Sequence, residues 1–269
     1  NRASDSSYTP NSTFSPSILL HELGHNLGLK HGHLAERGFP ALPYDHDSYE
    51  YSIMTYRQYV GDNPATNTVW HNPMTYMIND IAALQHLYGA DFATQNGNTH
   101  YQWNPTTGGF VIDGIQQFSP SAAYVFQAIW DGGGVDIYDL GSFTSNLTIN
   151  LAPGTAGIVM PGLFANLGDG QFARANVYNS YLYQNNPASL IENATGGSGN
   201  DSIYGNQLAN ILLGNGGAAG DGVVAVVSAQ DISGRTAGDG VVSASSHDHV
   251  GAAIAEQDVG KLVAVDGII

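Results

Sequence analysis

Apolar positions along this chain follow a helical spacing in two places and a strand spacing in most of the rest. Ile18, Leu19, Leu20, Leu23 and Leu27 recur at three- and four-residue steps behind Ser15-Pro16-Ser17. The pattern predicts a helix with Ser15 as its cap, Pro16 at its first position and an apolar side turned to a core. A second amphipathic pattern runs from Pro73 to Ala90 and stops at Gly89. Residues 1–14 read as an irregular lead-in and residues 32–47 as a loop. From residue 91 the period changes: short alternating stretches, among them residues 124–130 and 147–151, lie between Gly, Pro and Asn clusters. The expected fold class is α+β, helices first and strands after.

The first helix carries the chemistry. His21 and His25 are four apart and project from one face. Glu22 follows the first of them and is placed to hold a metal-activated water without being a ligand, the arrangement of a zinc hydrolase. Gly28 is suited to stop the helix and turn the chain, which brings His31 back as a third ligand. A structural zinc site is the competing reading, but such sites are closed by four ligands and rely on cysteine, and the chain has no Cys. His33 and His46 read as loop histidines and His86 as a packed or surface residue.

Composition narrows the function classes. The 269 residues suffice for one large domain or two ordinary ones, and 42% hydrophobic content suffices for a core. With 23 acidic residues against 7 basic ones the formal charge is −16, which repels phosphate backbones and argues against nucleic-acid binding. Acidic side chains with abundant Gly and Asn suit calcium, which takes oxygen ligands. Absence of Cys fits a secreted protein held by metal rather than disulfides. No apolar run is long enough to span a membrane, and Asn1-Arg2-Ala3-Ser4-Asp5 has no signal-peptide pattern.

Together with the histidine motif, Tyr51-Ser52-Ile53-Met54-Thr55-Tyr56 resembles the metzincin metalloproteases, in which a tight turn bearing Met lies beneath the zinc site. Residues 73–90 look like the helix that closes the catalytic domain of serralysins, secreted metzincins with a calcium-loaded β-roll. Trp130-Asp131-Gly132-Gly133-Gly134-Val135-Asp136 resembles the serralysin calcium loop. Two carboxylates five apart with glycines between them suit a cation. By position the resemblance implies one calcium site from Gln95, Gly97, Thr99, Asp131, Gly133 and Asp136, and another from Gly134, Asp136, Leu190 and Glu192. Serralysins typically carry Arg and Thr where this chain has Gln95 and Leu190, so those two contribute through main-chain carbonyls or not at all. Gly196-Gly197-Ser198-Gly199-Asn200-Asp201-Ser202-Ile203-Tyr204 matches the nine-residue calcium repeat of a β-roll, with Gly197 and Gly199 shaping the turn and Asp201 binding calcium. Residues 205–213 read as a degenerate second rung and Gly214 begins a third. Ala219-Gly220-Asp221-Gly222-Val223-Val224 recurs 18 residues later, without further calcium repeats.

The resemblance implies a secreted, extracellular zinc endopeptidase that cuts protein or peptide substrates. His21, His25 and His31 hold Zn²⁺, Glu22 is the general base, and Tyr56 is a displaceable ligand that stabilises the oxyanion. It divides the chain into the C-terminal part of a metzincin catalytic domain at 1–92, a Ca²⁺-binding β-sandwich or parallel β-roll of the RTX kind at 93–222, and a tail at 223–269 left between an eroded repeat and an unrelated sequence. In the tail, His247-Asp248-His249 reads as an exposed polar stretch, and Asp266-Gly267-Ile268-Ile269 faintly resembles the end of a type I secretion substrate. Serralysins place a propeptide and most of a twisted sheet before the motif helix, which starts here near residue 15. The alternative reading is therefore an inactive or fragmentary secreted calcium-binding RTX module with a vestigial zinc site.

Overall fold

The computed structural model describes residues 15–36, 38–63, 71–120 and 122–216, together with the strand backbones of 222–225, 231–233, 240–243, 249–250 and 263–264. The chain is mostly β. Its α-helices among the described residues are Ser15–Asn26 and Ile78–Tyr88.

The first helix ends where Gly28 takes φ +91°, with Gly28 N–H donating to His25 O at 3.0 Å and Leu29 N–H to Gly24 O at 2.9 Å. The second begins later than its pattern suggests, because residues before it are drawn toward the β part. Met74 N–H donates to Phe126 O at 2.8 Å, and Met77, in extended conformation, caps the helix. It ends at Gly89, φ +85°.

The apolar side expected of the first helix is only partly buried. Leu20 packs against Leu29, Ile53 and Met54, with Tyr76, Ala83 and Leu84 around them. Ile18, Leu23 and Leu19, the last 61% exposed, are not part of that cluster.

The β part consists of two eight-stranded sheets and a small two-stranded one among the described residues. Its leading portion is mixed: His100–Trp103 pairs antiparallel with Phe110–Ile112 and parallel with Ile137–Asp139. From Asn193–Thr195 onward every described pairing is parallel, and successive strands alternate between the two large sheets: Ser202–Tyr204, Ile211–Leu213, Gly222–Ala225, Asp231–Ser233, Gly240–Ser243, His249–Val250 and Val263–Ala264. The strands described within residues 223–269 thus extend both sheets. The sequence repeat falls in register, with Gly222 opposite Gly240, Val223 opposite Val241 and Val224 opposite Val242. Inward residues such as Ile149, Ile203, Ala194 and Leu212 are fully buried between the sheets, as period-2 alternation requires.

A second core joins the two parts. Met77 and Ile78 from the helix start pack with Tyr124, Phe126, Ala165, Leu167 and Tyr178 from the β part. Glu50 is buried there and accepts from Arg174 N–H (2.6 Å), Arg174 Nε (2.9 Å) and Tyr178 Oη (2.6 Å).

Candidate metal centres

His21, His25 and His31 each offer a ring nitrogen, and these three atoms lie within 4.8 Å of one another. The helix places the first two; the turn at Gly28 returns the third. Nδ1 of His21 is 2.9 Å from Ile53 O and Nδ1 of His25 is 3.0 Å from Leu29 O. A carbonyl only accepts, so each neutral ring carries its proton on Nδ1 and keeps a lone pair on Nε2. Backbone carbonyls in this position are what orient metal-binding imidazoles. His25 Nε2 and His31 Nε2 are 3.0 Å apart, close to the ~3.3 Å separating two nitrogens on a tetrahedral zinc with bonds of about 2.0–2.1 Å. Burial lowers the pKa of His21 and of His31, the latter to about 4 with help from the neighbouring imidazoles, which favours neutral, ligand-competent rings. The donor set fits zinc.

Glu22 and Tyr56 are both exposed beside this cluster. The Tyr56 ring centroid is 4.5 Å from that of His31 and 5.8 Å from that of His21. His33 does not join the cluster; its Nδ1 accepts from Tyr56 N–H at 3.3 Å. His46 stacks on Tyr51, and His86 is exposed on the second helix.

Met54 is buried directly under the first helix, and a Cβ built on Gly24 would stand 2.5 Å from its sulfur. The turn bearing Met54 is clamped by Asp80, whose carboxylate accepts from Ser52 Oγ (2.6 Å), Ile53 N–H (2.7 Å) and Met77 N–H (3.0 Å). Burial raises the Asp80 pKa to about 6 against these donors. Sequence reading missed Asp80 and Glu50. For Asp80 a signal existed, since an acidic residue three positions into a helix is a capping position. Glu50 had none, because its partners are more than 120 residues away.

At the acidic glycine loop, Asp136 Oδ1 accepts from Thr99 N–H at 2.7 Å, and Oδ2 is buried with no hydrogen-bond partner among the described residues. Asp131 accepts from Gly133 N–H (2.7 Å) and Tyr101 Oη (2.5 Å), and Glu192 accepts from Asp136 N–H (2.8 Å). The Thr99 hydroxyl lies 3.2 Å from Gln95 O and 3.1 Å from Gly97 O, so these two carbonyls converge there. Gln95 is exposed and brings its main chain only. Leu190 is buried and apolar, and its N–H donates to Pro187 O at 3.1 Å. Gly133 and Gly134 take φ of +141° and +148°, and a Cβ on Gly134 would fall 2.0 Å from Gly97 O. Only glycine lets these backbones approach. Burial pushes the carboxyls of Asp131, Asp136 and Glu192 upward, Asp136 to about 8 with the charges of Asp131 and Glu192 adding to it. An orphaned carboxylate oxygen among acids that resist ionisation fits a divalent cation. These carboxylates do not gather as the histidines do; among the described residues only the histidines form a compact group of three.

Asp201 holds its own turn, accepting from Gly197 N–H at 2.7 Å and from Leu147 N–H at 2.8 Å. Cβ atoms on Gly197 and Gly199 would stand 2.2 Å from Phe143 O and 2.4 Å from Ser145 O. The glycines therefore bring this turn against the carbonyls of the preceding one, as a shared cation site requires.

Residues 90–250 match the family model described as peptidase M10 serralysin C terminal. Among curated proteins, the metallopeptidase AprA of Pseudomonas marginalis is 36% identical over 220 residues, covering 77% of this chain and 42% of that protein. Serralysin C of Dickeya chrysanthemi is 35% identical over 189 residues, covering 68% and 34%. Serralysin of Proteus mirabilis is 32% identical, covering 78% and 40%. The chain spans about two fifths of the length of these relatives or less.

Proposed function

Because the chain belongs to the serralysin family of metalloproteases, we propose that it is the zinc-bearing and calcium-bearing part of a secreted zinc endopeptidase acting on extracellular proteins. The observation that carries this reading is the convergence of His21, His25 and His31 with two of their Nδ1 atoms held by backbone carbonyls. Residues 1–92 are then the C-terminal part of a catalytic domain and residues 93–222 a calcium-binding domain whose sheets run on into the tail. No described helix is long and apolar enough to cross a membrane. Delivery by type I secretion remains part of the same proposal.

The three imidazoles would hold zinc through Nε2 of His21 and His25 and a ring nitrogen of His31. Zinc bound there supplies Lewis-acid activation of a water and of a peptide carbonyl. Glu22 takes the proton from the attacking water on its carboxylate and passes it to the departing amine. Tyr56 donates its phenolic O–H to the developing oxyanion. In the β part, calcium would be held by Asp131 and Asp136 with the carbonyls of Gln95, Gly97 and the Gly133 turn, by Glu192 with Asp136 and Gly134, and by the Asp201 turn.

Metal analysis alongside a casein assay tests the reading. Stoichiometric zinc and cleavage blocked by a zinc chelator are expected; a purified, folded chain without zinc would overturn it. A second reading, a calcium-binding module with an idle zinc site, draws on the two eight-stranded sheets that make up most of the described structure. Zinc and calcium binding without turnover would select it.

A further inference from the structure

The turn after Asp201 is closed by different groups. At the nine-residue offset, Asn206 stands where Gly197 was, Leu208 where Gly199 was and Asn210 where Asp201 was. Asn210 Oδ1 accepts from Asn206 N–H at 2.7 Å, as Asp201 accepts from Gly197 N–H. A neutral amide thus makes the link that a carboxylate makes one turn earlier. Asn206 then engages its whole side chain. Its Oδ1 accepts from Leu208 N–H and from Asn210 Nδ2, both at 3.1 Å, and its Nδ2 donates to Ile191 O at 2.7 Å and Leu151 O at 3.2 Å. Both asparagines are 1% exposed. Leu151 follows strand Thr148–Asn150 of one sheet and Ile191 precedes strand Asn193–Thr195 of the other, so one amide ties the two sheets together.

We propose that this turn is a metal-free rung, in which the Asn206–Asn210 amide pair replaces the cation of a calcium turn. A calcium site gathers carbonyl oxygens around a positive charge and balances it with carboxylates. Here the carbonyls of Ile191 and Leu151 receive amide N–H groups instead, and neither position carries a charge. Side chains at 206 and 208 also occupy the places where glycines let the preceding turn close on carbonyl oxygens. The roll therefore holds one calcium-dependent and one calcium-independent closure in consecutive turns.

This inference rests on calcium binding at the Asp201 turn, and the test separates the two. Thermal melts and calcium counting by equilibrium dialysis are run on the full chain, Asp201→Asn, Asn206→Ala and Asn210→Asp, each with calcium and with chelator. Asn206→Ala is expected to melt roughly 5 °C lower in both buffers, with its calcium-linked shift intact. Asn210→Asp, which buries a charge and removes the donor to Asn206 Oδ1, is expected to lose stability without gaining an ion. An additional calcium bound by Asn210→Asp, or a melting point restored by calcium, would overturn the proposal, even where Asn206→Ala fails to fold. Loss of one bound ion in Asp201→Asn supports the premise. Unchanged binding there would sink the premise alone, leaving the other two variants to decide the amide closure.

Discussion

Glu22, exposed on the first helix, is the proton acceptor of the proposed mechanism. Glu22→Gln removes the proton acceptor while leaving all three imidazoles in place. Zinc content should therefore be unchanged while casein cleavage falls by about 10²–10⁴-fold, the usual weight of a general base; metal analysis and a rate assay on the same preparation check it. Asp80 is its opposite, a buried residue. Asp80→Ala strands three buried donors, Ser52 Oγ, Ile53 N–H and Met77 N–H, at a cost on the order of 3 kcal/mol. Denaturant titration should show that loss. Because Ile53 also orients His21, zinc affinity should drop with it. The histidine triad was legible in the sequence because helical spacing alone puts two rings on one face. The Asp80 clamp was not, because only folding brings residue 80 beneath residues 52–54.

At the scale of elements, the histidine cluster depends on how one helix ends. Gly28 sits at φ +91°, and a Cβ built there would meet only Leu87 Cδ1, at 3.7 Å, so alanine there meets conformational strain rather than a clash. Gly28→Ala should cost about 1–2 kcal/mol and misdirect His31. The expected signature is a weakened zinc site in a chain that still folds, read by chelator competition beside a thermal melt. The same helix shows where pattern reading falls short. Its apolar positions form a wide stripe, and period alone predicts burial for all of them; Leu20 is in the core, whereas Leu19 lies in solvent. Periodicity defines a face but not what meets it. The tail is the converse case. Its repeat at 18 residues was readable, but only parallel pairing, Gly222 against Gly240, reveals it as consecutive levels of one roll.

For the whole molecule, charge and metal act together. Asp136 in the ion-free fold has its pKa raised to about 8 by burial and by Asp131 and Glu192, far above the ordinary aspartate value. The folded state then keeps a proton that the unfolded chain releases, so between about pH 4 and pH 8 acidification stabilises the calcium-free fold and alkalinisation weakens it. The formal charge of −16 pushes the same way. Calcium reverses the sign, since it needs these carboxylates ionised. Melts at about pH 5 and pH 8 should show a higher midpoint at the lower pH in chelator and at the higher pH in calcium. A slope of the same sign in both buffers would mean that Asp136 does not face the ion.

Local spacing by itself determined that His21 and His25 share a helix face with His31 returned by a turn, and that glycines frame the Asp131, Asp136 and Asp201 turns, because each is a short-range pattern that follows from a helix period or a tight turn; the Met54 turn was legible only through family resemblance. Tertiary structure decided what no short window contains: Asp80 under the Met54 turn, Glu50 held by Arg174 and Tyr178, the unpartnered Asp136 oxygen, and Asn206 spanning two sheets. These contacts join residues tens of positions apart, where position along the chain carries no information about distance until the cores have packed.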